Sequence, residues 1–393
     1  MNEDKASRYH RLARRARVAA AVWSTALLAA LVATPLSVFM RDVAVQYANA
    51  APAPAAITQS LVVVFYVMML VALHECGALP LAYYRGHVLE SRYDLSRQSA
   101  GRWWRTYIKE AALGLGFLQV GAVCLYALIG WWPNTWWIAA TIAWSVAMVC
   151  LARLGPVLLF PLFYEVKPIQ REELHEDLIR LTRKAGTQAM GVYGWTLSDS
   201  TRKANAALVG LGRTRRILLS DTLLSDYSND EIAVVLAHEL GHHVHGDIWR
   251  GLGLDAVVRF VSFHAAHRAV LGIGPIASVM HAGDIAGLPL ILLVCGMLSM
   301  IAQPLANARS RAQERRADRF ALNLTDNSPA FVSAMRRLAQ QNLAEEHPSR
   351  WVQTLFHTHP STAERLAIAR NTPSISPSPA LINSTLADIE GRR

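Results

Sequence analysis

The chain has 393 residues, of which 52% are hydrophobic and only 17% charged, and its formal net charge is +10. Soluble domains average about 25% charged residues, so this balance excludes an ordinary soluble globular protein and points to a membrane. Arginines flanking apolar segments and contact with anionic lipid account for the basic excess, and nothing calls for a nucleic-acid partner.

Residues 1–17 carry Arg8, Arg11, Arg14, Arg15 and Arg17 and read as a basic cytoplasmic terminus. Apolar runs at 18–40, 61–83, 111–131 and 136–163 are each long enough to cross a hydrocarbon core as a helix, giving an N-terminal membrane region over 18–164. The first run reads as a retained signal anchor, because the small-residue site Ala48-Asn49-Ala50 lies too far beyond it for cleavage. The loop 41–60 is nearly uncharged, whereas the loop 85–106 holds Arg85, Arg92, Arg97, Arg102 and Arg105. The positive-inside rule therefore puts the N-terminus, the 85–106 loop and residues 165–250 on the cytoplasmic side. Trp131, Trp132, Trp136 and Trp137 flank a Pro133-Asn134 turn and read as an interfacial belt joining a helical hairpin. Cys76, Cys124, Cys150 and Cys295 lie in apolar segments without metal or disulfide spacing. His74-Glu75 begins like a metal motif but lacks a second His, so Glu75 reads as a polar residue facing the interior.

Residues 165–250 read as a catalytic insert, with a helix over 169–185 and strands at 191–196, 206–211 and 217–219. Ser228 is placed as an N-cap and Glu231 completes a capping box for the helix that follows. That helix carries His238-Glu239-Leu240-Gly241-His242. Positions four apart share a helix face, so the two histidines can hold one metal ion, and Glu239 can reach a water on it without being a ligand. This is the geometry of a zinc hydrolase. A free sheet edge beside such a metal can hold an extended peptide by backbone hydrogen bonds. His243 and His245 lie past the metal face and read as solvent-facing or supporting residues.

Residues 251–305 read as two further membrane helices. The first, 252–280, contains Asp255, Arg259, His264, His267 and Arg268, which must face a protein interior or water. The second covers 285–305, and six spans return the C-terminus to the cytoplasm. In the segment 306–370, charged residues recur at helical spacing over 307–322. Glu314 and Asp318 share one face there: Glu314 can supply a third ligand, and Asp318 can orient a ligating histidine. A further amphipathic helix covers 328–342, and the Ser- and Pro-rich end, 371–393, reads as a disordered tail.

Four blocks together resemble the M48 family of membrane zinc metallopeptidases, closest to its Ste24-type CAAX prenyl protease branch. They are Leu89-Glu90-Ser91-Arg92-Tyr93-Asp94-Leu95-Ser96 with Tyr107-Ile108-Lys109-Glu110; Asn205-Ala206 with Gly210 and the run 217–224; the His238–His242 motif; and Ser310-Arg311-Ala312-Gln313-Glu314-Arg315-Arg316-Ala317-Asp318. His359-Pro360 with Glu364-Arg365 extends the match. The resemblance implies that His238, His242 and Glu314 bind one zinc per chain and that Glu239 is the general base. It also implies that Asn205 and the strand from Ala206 contact the substrate backbone, and that His359 and Arg365 lie near the metal and stabilise an oxyanion.

The fold class that follows is predominantly α: a polytopic helical membrane protein of about six transmembrane helices with a zincin-like α+β catalytic region. The function that follows is zinc-dependent hydrolysis of peptide or protein substrates at the bilayer, in a bacterial inner membrane. Ste24-type enzymes have seven spans around a large chamber. Six spans and an Arg-rich, Lys-poor composition favour a processing or quality-control protease over a prenyl protease. A non-catalytic scaffold with a structural zinc is the alternative. A transporter is a third reading, but no inverted repeat supports it.

Overall fold

The computed structural model describes residues 4–52, 54–197, 201–209, 215–279 and 281–371. The end of the expected strand 206–211 with Gly210, the last residue of 252–280, and all but the first residue of the expected tail lie outside them. The first helix, α1 (Lys5–Ala33), takes in the basic residues expected to form a separate terminus. It stops at Thr34–Pro35, because proline offers no N–H to continue a helix, and α2 (Leu36–Ala50) follows in a new direction. The run 18–40 is therefore two helices. Next, α3 (Ala55–Tyr83) continues through a π-helical stretch, Tyr84–Leu89, into the single turn α4 (Glu90–Arg92). The hairpin α5 (Ala100–Trp131) and α6 (Trp136–Leu158) turns at the tryptophan cluster, as expected.

A small sheet follows, built from β1 (Val166–Pro168), β2 (Val192–Trp195), β3 (Ala206–Val209) and β4 (Arg216–Ser220), with α7 (Glu172–Lys184) between the first two. The order is β1-β2-β4-β3, with β2 and β4 parallel and the other pairs antiparallel. β1 was not anticipated: three residues ending in proline are too few to show an alternating pattern. β3 is an edge strand. The short α8 (Asp221–Asp226) leads to α9 (Asn229–Val244), the motif helix. Ile217, Leu219, Ile232, Leu236 and Phe331 are buried in one apolar cluster that fuses the sheet, α9 and α12 (Ser328–Gln341). The chain closes with α13 (Arg350–Phe356) and α14 (Thr362–Asn371).

Two long helices join this layer to the membrane bundle: α10 (Asp247–Ile273) and α11 (Leu288–Thr325). Among the described residues, five helices are long and apolar enough to cross a membrane: Lys5–Ala33, Ile57–Arg92, Ala100–Trp131, Trp136–Leu158 and Ile285–Thr325. The expected sixth, α10, is not one of them, because its ionisable residues make it too polar. It nonetheless runs antiparallel to the apolar half of α11, and several of its polar groups find partners on neighbouring helices. Arg259 donates to Ser299 at 3.0 Å, and the Trp144 and Trp136 indoles donate to Asp255 and His267 at 2.7 and 3.1 Å. The membrane span at 285–305 and the charged run 307–322 are one continuous helix of 38 residues, about 57 Å long at the standard rise.

α9 and α11 cross at closest approach where Gly241 meets Ala317. A side-chain carbon on Gly241 would sit 2.9 Å from the Ala317 Cα, so the crossing admits no larger residue. The turn Leu89–Leu95 wedges against the strand side of the catalytic layer. Tyr9 and Lys203 both donate to Glu90, and the Leu95 carbonyl accepts from the Arg202 N–H at 3.0 Å.

The Ser228 hydroxyl accepts from the Glu231 N–H and the Glu231 carboxylate accepts from the Ser228 N–H at 2.8 Å, which is the anticipated capping box. Ser228→Ala should cost about 1 kcal/mol of stability, read as a lower denaturation midpoint in detergent. Burial raises the Glu231 pKa, but hydrogen bonds from Ser333 and Ser228 and the Arg337 charge outweigh it, and the net shift is downward. The contribution of the charge is then full at neutral pH and fades as pH falls below the ordinary carboxylate range. The stability gap between wild type and Glu231→Gln should close on acidification. Gly241→Val should force α9 and α11 apart, costing about 1–3 kcal/mol and lowering metal content, measured by melting and elemental analysis.

Candidate metal centre

Two helices supply the centre. On α9, His238 is buried and His242 half-buried one turn later; on α11, Glu314 is buried opposite them. His238 Nε2 lies 3.2 Å from His242 Nε2 and 3.3 Å from Glu314 Oε2, and His242 Nε2 lies 3.3 Å from Glu314 Oε1. Donors bound tetrahedrally at about 2.0 Å to one zinc ion stand about 3.3 Å apart, which matches the separation of the two imidazole nitrogens and the approach of one Glu314 oxygen to each. The Glu314 Oε2 atom is buried without a well-directed hydrogen bond and faces the imidazole nitrogens of His238 and His359. Among the described residues this is the one group of three or more His, Cys, Asp or Glu side chains able to hold a metal. His243 and His245 are outside it, and His245 instead bonds the Gly241 carbonyl at 2.6 Å.

Each histidine is held from behind by an aspartate that is itself held by an arginine. His238 Nδ1 lies 2.9 Å from Asp318 Oδ1, and Asp318, fully buried, accepts from Arg365 Nε at 2.9 Å and Nη2 at 2.5 Å. His242 Nδ1 lies 2.9 Å from Asp247 Oδ2, and Arg316 donates to Asp247 Oδ1 at 2.8 Å. Helical spacing in the sequence points to Asp318 but not to Asp247. A carboxylate five residues past a candidate ligand, opening the next helix, was the available signal. Burial lowers the His238 pKa, but hydrogen bonds to Asp318 and Glu314 outweigh it and hold it up at about 9. The site thus favours positive charge, and an entering metal displaces a proton.

Glu239 is half-buried beside the ligands, and among the described residues its carboxylate has no hydrogen-bond partner. Burial pushes its pKa up; His238 and His242 pull it down, and Glu314 adds to the rise. His359 is exposed, with Nδ1 2.9 Å from Glu314 Oε2. Arg365 is brought to the centre by α14, where its Nε and Nη2 fork onto Asp318 and Nη2 also lies 3.3 Å from His238 Nδ1. Asn205 is exposed where β3 begins, with its backbone tied to Ser220 at 2.9 Å, and Ala206 is buried. The outer edge of β3 pairs with no strand among the described residues.

Residues 168–372 match the model of peptidase family M48. The chain belongs to that family. Residues 2–165 of this M48 peptidase match the CAAX prenyl protease N-terminal model, which describes five membrane helices. It is a multi-pass membrane metalloprotease. It is 28% identical over 305 residues to the uncharacterized metalloprotease YhfN of Bacillus subtilis, covering 77% of this chain and 71% of that one. It is 25% identical over 294 residues to the probable CAAX prenyl protease 1 of Schizosaccharomyces pombe, covering 73% of this chain but only 61% of that longer protein. The crystal structure of S. mikatae Ste24p shares the fold, with a TM-score of 0.70, 22% identity, and coverage of 84% of this chain and 79% of the other.

In the peptidase, Asp247→Asn should weaken zinc binding by about 10- to 100-fold, because His242 loses the carboxylate that orients it. Competition with a chromophoric chelator measures this. An unchanged affinity would show that Asp247 does not support the centre.

Proposed function

We propose that this peptidase is a membrane-embedded zinc-dependent endopeptidase acting on membrane-associated or misfolded protein substrates. His238, His242 and Glu314 hold one zinc ion per chain in this reading. The observation that carries it is the 3.2–3.3 Å spacing of their donor atoms, with the unbonded Glu239 carboxylate beside them. Bound zinc supplies a Lewis acid that polarises the scissile carbonyl and acidifies a water. Glu239 takes that water's proton during attack and returns it to the leaving amine. Its burial supports the role, because a raised pKa brings a carboxylate closer to the operating pH.

The open edge of β3, with Asn205 at its start, holds the substrate backbone in extended form. His359 faces the same centre and donates to the oxyanion as charge develops on the carbonyl oxygen. Arg365 acts through Asp318, which its fork holds against His238; the bonding supports this positioning role in place of the oxyanion contact expected from sequence. Four of the five apolar helices precede the catalytic layer. Together with the arginines of 1–17 and 85–106, this supports an N-terminus and layer facing the cytoplasm of a bacterial inner membrane, and α10 running back along α11 supports a C-terminus on the same side.

Purified wild type and Glu239→Gln, compared in detergent with fluorescein-labelled casein, test the reading. One zinc in both, with kcat lowered at least about 100-fold in the variant, is the outcome expected. Full activity in Glu239→Gln sinks the assignment of the base.

A further inference from the structure

α13 is a helix of seven residues with no buried side chain, and its Trp351 is 79% exposed. So short a helix is unstable alone, and apolar burial does not hold this one. What holds it is a set of side-chain donors on α11. Asn307 Nδ2 donates to the Thr354 and Leu355 carbonyls at 3.1 and 2.8 Å. Arg311 Nη1 donates to the Gln353 and His357 carbonyls at 2.8 and 2.7 Å. These include carbonyls that the C-terminus of a helix leaves without intrahelical partners. Both donors are buried, at 2% and 9% exposure, so the bonds are shielded from water.

Two residues beyond His357, the chain delivers His359 to Glu314. Arg311 and Glu314 are three apart on α11 and share its face. One face of one helix therefore carries the candidate metal ligand and the clamp for the segment that brings His359 onto it. The strap and Leu343, the residue before it, also lean on α1. Arg14 donates to Glu345 at 2.6 Å, His10 Nε2 lies 2.7 Å from the Leu343 carbonyl, and the Arg17 guanidinium sits 5.9 Å from the centre of the Phe356 ring.

We infer that Arg311, with Asn307, is a positioning residue for the reaction: it clamps the strap 344–358 so that His359 stands at the metal centre. The inference rests on the reading of His359 as a donor to the oxyanion. Arg311 itself touches neither the three ligand atoms nor Glu239. It acts only through the carbonyls that fix where residue 359 lies.

The test uses full-length protein in detergent with four variants: Arg311→Met, Asn307→Ala, His359→Ala, and Arg311→Met combined with His359→Ala. Three readouts are taken: zinc per chain, kcat and KM on fluorescein-labelled casein, and deuterium uptake of the 350–359 amides. Arg311→Met should keep its zinc and KM, lose about 100-fold in kcat, and take up deuterium faster over 350–359. His359→Ala should lose kcat to a similar extent with normal uptake, and the double variant should be no slower than the singles. Should Arg311→Met fail to fold, Asn307→Ala, which removes the other half of the clamp, is expected to shift the same three readouts in the same direction.

Unchanged uptake in both clamp variants overturns the clamp. Faster uptake with full kcat, where His359→Ala is slow, shows that the strap does not control His359. Losses that multiply in the double variant, or zinc lost from the clamp variants, assign Arg311 to α11 itself. Full kcat in His359→Ala removes the premise and with it the proposal, while the metal and base assignments keep their own test in Glu239→Gln.

Discussion

α9 and α11 pack backbone against backbone where Gly241 meets Ala317. Everything at the candidate centre depends on this packing. A helix can place two ligands four residues apart by its own periodicity, but a third must come from elsewhere at matching depth. Gly241 has no side chain and Ala317 a single methyl, so the backbones approach closely and Glu314, one turn before Ala317, reaches both imidazoles. Gly241 is thus placed by packing as much as by the motif that contains it.

The centre is braced on two sides by the same chemistry. His238 leans on Asp318 and Arg365, and His242 on Asp247 and Arg316. Each aspartate fixes an imidazole, and each arginine keeps the buried aspartate from being an unpaired charge. The four supporting residues come from α10, α11 and α14, so the geometry of two rings is shared among elements far apart in the chain. The net effect is a pocket of negative charge suited to a divalent cation.

α11 joins this pocket to the bilayer without a break. It is the most enclosed of the apolar helices, with 44% of its apolar window buried against 11–22% for the others. Its first half is packed by α10 and its second half carries Glu314, Asp318, Asn307 and Arg311. A tilt of the helix in the membrane would move the candidate ligand and the strap anchors together. The strap also rests on α1, so a second apolar helix bears on where His359 lies.

The sequence by itself determined much of this. Apolar runs of spanning length, arginine asymmetry, the capping box and the His-Glu-x-x-His spacing are local patterns, each set by the period of a helix or the thickness of a bilayer. Helical spacing also put Glu314 and Asp318 on one face, and the resemblance extended the reading to Asn205, His359 and Arg365, which have no local pattern. Local pattern was silent or misleading where the outcome depended on partners. The run at 18–40 is split by one proline, the span at 285–305 and the charged run at 307–322 are a single helix, and α10 carries polar groups with partners on α6 and α11. Tertiary structure alone decided that Asp247 backs His242, that Arg365 forks onto Asp318, and that Asn307 and Arg311 cap α13. Each of these is a contact between residues whose separation in sequence has no fixed relation to their separation in space, and such contacts leave no periodic signal in the chain.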